Sequence, residues 1–169
     1  MTTLYLVRHG ETVDNAAHIM QGQTQGQLND KGFKQAEELR VKLTGIHFDA
    51  FVSSDLRRSI QTCEVVARAR NALVVTTPLL RERDWGEFTG KYIPDLQDVP
   101  EWPSNIESLE ALKARARDFI SWLKETYPDR VVLAVGHGII NKAIQSVYHK
   151  KPMNEIPRMA NGEVRILVL

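Results

Sequence analysis

Cysteine is almost missing from this 169-residue chain. Cys63 is the one copy, so the sequence can build neither an intrachain disulfide nor a thiolate metal cluster. Long apolar runs are missing too: residues 131–135 form one of the longest, far short of the ~20 needed to cross a bilayer. No basic stretch followed by a signal-like apolar core opens the chain, because Met1, Thr2 and Thr3 run straight into Leu4, Tyr5, Leu6 and Val7. Charge of one sign is not in excess either. Lys plus Arg total 22 against 21 for Asp plus Glu, a net charge of +1, which leaves no footprint for nucleic acid or an anionic membrane. These absences lead us to expect a reducing, cytoplasmic setting, with no nucleic acid and no membrane among the partners. Hydrophobic residues at 43% and charged residues at 25% lie near globular averages and exclude disorder. A chain of this length is expected to form one domain over 1–169, burying roughly 70% of the surface its unfolded form exposes.

What is present alternates. Short β-rich runs at 4–7, 50–53, 73–77, 131–135 and 164–169 are separated by stretches of helical periodicity, the pattern of an α/β fold. The expected architecture is three-layered, α/β/α, with a mostly parallel central sheet. Asn29 or Asp30 can cap a helix carrying Phe33, Ala36, Leu39 and Leu43, with Gly45 as its stop. A second helix is expected over about 55–69, burying Ile60, Cys63, Val66 and Ala67 or their neighbours. A third carries Leu109, Leu112, Ala116, Phe119 and Trp122 or Leu123; Ser104 and Ser108 compete to cap it. The apolar run at 131–135 reads as a central strand buried on both faces, followed by a helix over about 138–148. Between 78 and 103 periodicity weakens, and Pro78, Pro94, Pro100 and Pro103 fall there.

Ligands of open α/β sheets bind beyond the carboxyl ends of the strands, so chemistry is expected at those ends. They read Arg8-His9-Gly10-Glu11-Thr12, Ser53-Ser54-Asp55-Leu56-Arg57-Arg58 and Gly136-His137-Gly138. Singly, each is ordinary: a rim histidine, or solvated arginines in a first helical turn. If the three strands are parallel neighbours, two imidazoles and at least two guanidiniums converge on one crevice. A guanidinium is a permanently charged planar fork of donors matched to phosphate oxygens. Gly10 and Gly138 would let backbone approach an anion, and the helix after Gly138 would add a favourable dipole. The ligand so implied is a phosphoryl group.

Six blocks of the chain resemble, in order, those of the histidine phosphatase superfamily, in its phosphoglycerate-mutase-like branch. Leu6-Val7-Arg8-His9-Gly10-Glu11-Thr12 with Asn15 is similar to its defining signature. Gln21-Gly22 and the stretch from Leu28 through Gly32 to Gln35-Ala36 resemble its second block. Ser54-Asp55-Leu56-Arg57-Arg58-Ser59 with Gln61-Thr62 resembles the block that supplies a second arginine, here Arg58. Leu80-Arg81-Glu82-Arg83 with Trp85-Gly86 resembles the acid block, Glu107-Ser108 the start of a family helix, and Val135-Gly136-His137-Gly138 the second-histidine block. The chain departs where it reads Gln25-Gly26-Gln27-Leu28-Asn29 in place of a usual Asp-x-Pro-Leu-Thr, and where Ser59 replaces a usual alanine.

The resemblance implies a phosphatase that hydrolyses small phosphate monoesters through a phosphohistidine on His9. Glu82 would give and take the proton, and Arg8, Arg58 and His137 would hold the phosphoryl oxygens. Asn15, Gln21, Gly22 and Gly138 are the implied phosphate- or substrate-binding positions, with no metal and no cofactor required. The implied partner is a small phosphorylated metabolite; oligomeric state is not encoded legibly. A mutase-type phosphotransferase and a phosphoprotein phosphatase are the alternatives. Residues 84–107 are expected to form a short lid. Its stretch 92–107 holds Asp95, Asp98, Glu101 and Glu107 and no Lys or Arg, which would repel a second phosphate unless Arg83 or Lys91 turned inward. Tyr92 and Trp102 would either wall the site or anchor the lid.

Overall fold

The computed structural model describes residues 1–169. Strands and helices alternate as β1 (Thr3–Arg8), α1 (Val13–Ala16), α2 (Asp30–Lys42), β2 (Ala50–Ser53), α3 (Arg57–Arg68) and β3 (Val74–Thr76). They continue as α4 (Leu109–Thr126), β4 (Val131–Gly136), α5 (Gly138–His149) and β5 (Val164–Val168). Short 3₁₀ turns, among them Gly86–Phe88 and Ile93–Leu96, break the connection from β3 to α4. No helix is long and apolar enough to cross a membrane.

The sheet runs in the order β3-β2-β4-β1-β5, parallel throughout except that β5 lies antiparallel to β1. β4 is central, and its alternation explains how it is buried on both sides. Val132 and Ala134 pack with Leu112, Phe119 and Leu123 of α4 and Ile140 and Ile144 of α5. Leu133 and Val135 pack with Leu39 and Leu43 near the end of α2 and Cys63, Val66 and Ala67 of α3. Two helical layers therefore sandwich the sheet. The chain leaves β1 toward the α2/α3 layer and leaves β4 toward the α5 layer. Those adjacent strands thus diverge at their carboxyl ends and open the crevice that such a switch point creates. Register places Arg8 beside Gly136 and Ser53 beside Val135, so the three predicted strand ends are neighbours at one level.

Some expectations change in detail. α3 starts at Arg57, two residues later than expected, with Leu56 at the N-cap; Asp55, ahead of it, forms a two-point ion pair with Arg81 (2.7 and 2.6 Å). Ile60 is half-buried, and Phe33 and Leu109 are largely exposed. Leu73 lies outside β3, 90% exposed. Ser108, not Ser104, caps α4, accepting from the Ala111 N–H at 3.0 Å.

Gly10 performs a different task from the one expected. A Cβ there would stand 2.5 Å from the Gly32 carbonyl oxygen, and one on Gly32 would stand 2.0 Å from that of Glu11. The first turn of α2 therefore lies backbone to backbone on the loop that follows β1. The missing side chains serve helix docking there, rather than close approach to an anion.

Candidate active site

His9 is buried at the end of β1, with its ring centroid 5.0 Å from that of His137 at the end of β4. Its Nδ1 lies 2.6 Å from the Gly10 carbonyl oxygen, which can only accept, so Nδ1 carries the hydrogen. Nε2 is then the proton-free nitrogen. Burial, and next the nearby Arg58 cation, hold the His9 pKa well below the ordinary 6.5. His137 is depressed in the same direction, by burial first and then by Arg58 and His9. Its Nε2 meets Ser54 Oγ at 2.7 Å and Ser59 Oγ at 3.2 Å, and its Nδ1 is buried without a partner.

Each arginine is anchored through its outer nitrogens. Arg8 Nη1 donates to the Met159 carbonyl at 2.8 Å. Arg58, fully buried, donates through Nη2 to the Gly22 carbonyl at 2.7 Å and through Nη1 to the carbonyls of Thr24 and Gln25. Burial pushes Arg58 down to about 10, which leaves it charged at neutral pH. Nε of both arginines is buried and unpartnered. Leaving a buried donor unmade costs about 1–3 kcal/mol each, more when charged, and both of these guanidinium nitrogens belong to side chains that line one cavity.

Glu82 stands across from them. Its Oε1 accepts from the N–H groups of Arg83 (2.9 Å), Ile139 (3.2 Å) and Ile140 (3.0 Å), whereas Oε2 accepts from Ile139 alone (3.0 Å). The N-terminus of α5, expected to face an anionic ligand, is thus occupied by this carboxylate. Arg115 fixes the segment from α4, bonding the carbonyls of Leu79, Arg81 and Glu82 and pairing with Glu107 at 2.8 Å.

A cavity of about 380 Å³ joins these groups; Arg8, His9, Asn15, Gln21, Gly22, Arg58, Glu82 and Gly138 line it. His137 sits behind His9, outside the lining. Thr12 and Asn15 cap α1 reciprocally, with the Asn15 Oδ1 accepting from the Thr12 N–H at 3.1 Å. Gln21 accepts from the Thr12 hydroxyl at 3.0 Å. Both amides therefore turn their oxygens inward to the protein. Gly138 lies beside Arg8: a Cβ on it would come within 3.4 Å of Nε.

The expected acidic repulsion is absent from this geometry. Asp95, Asp98 and Glu101 do not line the cavity, and Glu107 is neutralised by Arg115. Arg83 and Lys91 stay outside as well. Arg83 lies over Trp85 and Trp102, 4.6 and 5.5 Å from the ring centroids, and Lys91 over Phe88. Trp102 anchors the connection by packing on Trp85 and Phe88, and Tyr92 is absent from the lining. The cations that do reach the cavity, Lys142 and Arg158, were not foreseen. Lys142 had a local signal, lying four residues past Gly138 on one helix face. Arg158 had none, because the loop before β5 reaches the site only through antiparallel pairing with β1. No group of three or more His, Cys, Asp or Glu side chains is placed to hold a metal ion.

A family model of the histidine phosphatase superfamily (branch 1) matches residues 4–169. The chain belongs to that superfamily. Among its histidine phosphatase relatives, the uncharacterized phosphatase PhoE of Bacillus subtilis is 31% identical over 167 residues, covering 96% of this chain and 86% of the relative. GpmB of Proteus mirabilis, named a probable phosphoglycerate mutase, is 34% identical over 158 residues, covering 82% and 71%. Of solved histidine phosphatase folds, a mycobacterial glucosyl-3-phosphoglycerate phosphatase superposes with a TM-score of 0.89 at 28% identity, over 98% of this chain and 92% of that one.

The two depressed imidazoles make stability depend on pH. Unfolding restores their ordinary pKa, so below about 6.5 the unfolded chain binds more protons than the folded one. The contribution is fully present above that pH and is lost as pH falls. Denaturation midpoints taken between pH 7.5 and 5.5 are expected to drop, and to drop less in His9→Ala; equal slopes would remove His9 from this linkage.

Proposed function

We propose that the chain is a phosphatase acting on small phosphate monoesters, with His9 Nε2 as nucleophile. One observation carries the reading: Nδ1 of His9 is committed to Gly10, which leaves a neutral Nε2 in a cavity also lined by Arg8 and Arg58, whose buried Nε groups lack acceptors. In the first step Nε2 forms a bond to phosphorus and the ester P–O bond breaks. The bond pair leaves with the alcohol oxygen, which takes a proton from Glu82 through the less encumbered Oε2. Arg8, Arg58 and His137 meet the charge that spreads over the phosphoryl oxygens, with Asn15 and Gln21 lining the approach. In the second step a water gives its proton to Glu82 and attacks phosphorus. The N–P bond breaks with its pair returning to Nε2, and orthophosphate is released.

Ile93 both lines the cavity and is 38% exposed, which favours access of water and hence hydrolysis over retention for transfer. A mutase-type transfer is the second reading, supported by Lys142 and Arg158, which suit a doubly anionic ester.

The test is a rapid quench with a radiolabelled aryl phosphate in buffer containing a chelator. The expected product is phosphoenzyme that is labile to acid and stable to alkali. Phosphate recovered on serine, or turnover that stops with chelation, would refute the assignment.

A further inference from the structure

The cavity holds more positive charge than one phosphoryl group uses. Arg8, Arg58, Lys142 and Arg158 line it, against the single carboxylate of Glu82. With Glu82 carrying the proton it is to donate, a phosphoryl dianion supplies two negative charges to four positive ones. The surplus has an address, because Arg8 and Arg58 are tied into the phosphoryl cradle and the other two are not. Neither Lys142 nor Arg158 takes part in any ion pair of the chain. Arg158 accepts one hydrogen bond, at its backbone carbonyl, and its guanidinium has no protein partner. It also stands close enough to Arg8 to depress that group electrostatically, so in the empty cavity the two cations repel.

We propose that Lys142 and Arg158 form a subsite for a second anionic group carried by the departing alcohol. The favoured esters are then phosphates of hydroxy acids or of phosphorylated diols, ahead of esters of neutral alcohols. The inference rests on the proposed hydrolysis and adds what the leaving group must carry. Helix α5 sets the spacing. Its Ile139 and Ile140 amides hold Glu82 where the ester oxygen leaves, and Lys142 follows two to three residues on, about 3–4.5 Å along the axis. The second anion therefore belongs a few bonds from the ester oxygen. Ile139, Trp85 and Ile93 add apolar wall to the same cavity, so the departing group meets its charge partners at Lys142 and Arg158.

The experiment measures competition against hydrolysis of p-nitrophenyl phosphate, which reads affinity whether or not the competitor is turned over. 3-Phosphoglycerate, 1,3-propanediol bisphosphate and glycerol 3-phosphate provide a carboxylate, a second phosphate and a neutral arm. The expected result is that at least one anionic competitor binds tenfold or more tighter than glycerol 3-phosphate; whichever does so identifies the second group. Lys142→Met and Arg158→Met should each cut that ratio severalfold, and the double variant should bring it near one. Both positions lie outside the buried core, and melting curves of the variants check that they fold. Ratios near one in the wild type, or a preference that survives the double substitution, overturn the subsite. If p-nitrophenyl phosphate itself is not hydrolysed, the failure lies with the hydrolytic reading instead.

Discussion

Replacing His9 with alanine is expected to reduce turnover of every phosphate monoester at least about 1,000-fold, while orthophosphate still binds. The split follows from the geometry. The ring is tied to the protein at Nδ1 alone, whereas the other imidazole of the site, His137, has its Nε2 engaged by the Ser54 and Ser59 hydroxyls and lies outside the cavity lining. Arg8, Arg58 and His137 keep their own anchors on Met159, on the 22–25 loop carbonyls and on Ser54, none of which depends on His9. The phosphate grip should therefore outlive the nucleophile. Steady-state rates with p-nitrophenyl phosphate and calorimetric titration with orthophosphate separate the two properties. A variant that keeps turnover within tenfold of the wild type would mean that water attacks phosphorus directly and that His9 only shapes the cavity.

Glu82→Gln is expected to slow alkyl phosphates by about 100- to 10,000-fold, the range of a lost general acid, and aryl phosphates with good leaving groups by far less. A nitrophenolate departs unprotonated, whereas an alkoxide needs the proton at the moment the bond breaks. Glutamine is a close mimic in this setting. Three N–H groups point at Oε1, so the amide must turn its oxygen to them and its NH₂ toward the ester. The variant keeps the shape and the three bonds to Oε1, gives up the Ile139 bond to Oε2, and loses the transferable proton. Paired kcat/KM values on an alkyl and an aryl ester decide the matter, and equal losses on both would take Glu82 out of proton transfer.

The strands and longer helices could be read from the sequence because one physical signal repeats along it: apolar residues at period two or near 3.6, bounded by caps. The strand β4 run and the α5 face are clear examples, and the juxtaposition of Arg8, His9, Arg58 and His137 followed from three strand ends sharing a sheet. What escaped was set by tertiary contact. The short α1 rests on the reciprocal cap between Thr12 and Asn15 rather than on periodicity. The second helix is expected to include Asp55, but that residue lies before the first turn and pairs with Arg81 from a distant segment. Counting acids in 92–107 could not decide between repulsion in the cavity and a solvated loop, because composition does not say which side chains face inward; the lining, free of Asp95, Asp98 and Glu101, agrees with the loop. Gly10 and Gly32 both stood out as motif residues, yet only the fold shows that each is small because of the other's neighbourhood.

Arg58 illustrates a cost of building a binding site in advance. Carbonyls from Gly22, Thr24 and Gln25 already clasp its guanidinium, so a phosphatase of this kind needs no rearrangement when an ester arrives. The same readiness greets the inorganic fragment left after hydrolysis, which presents the same tetrahedron of oxygens and no bulky remainder to help expel it. If Arg58 grips phosphate as proposed, free orthophosphate is expected to act as a brake on such an enzyme, competing with every ester it hydrolyses.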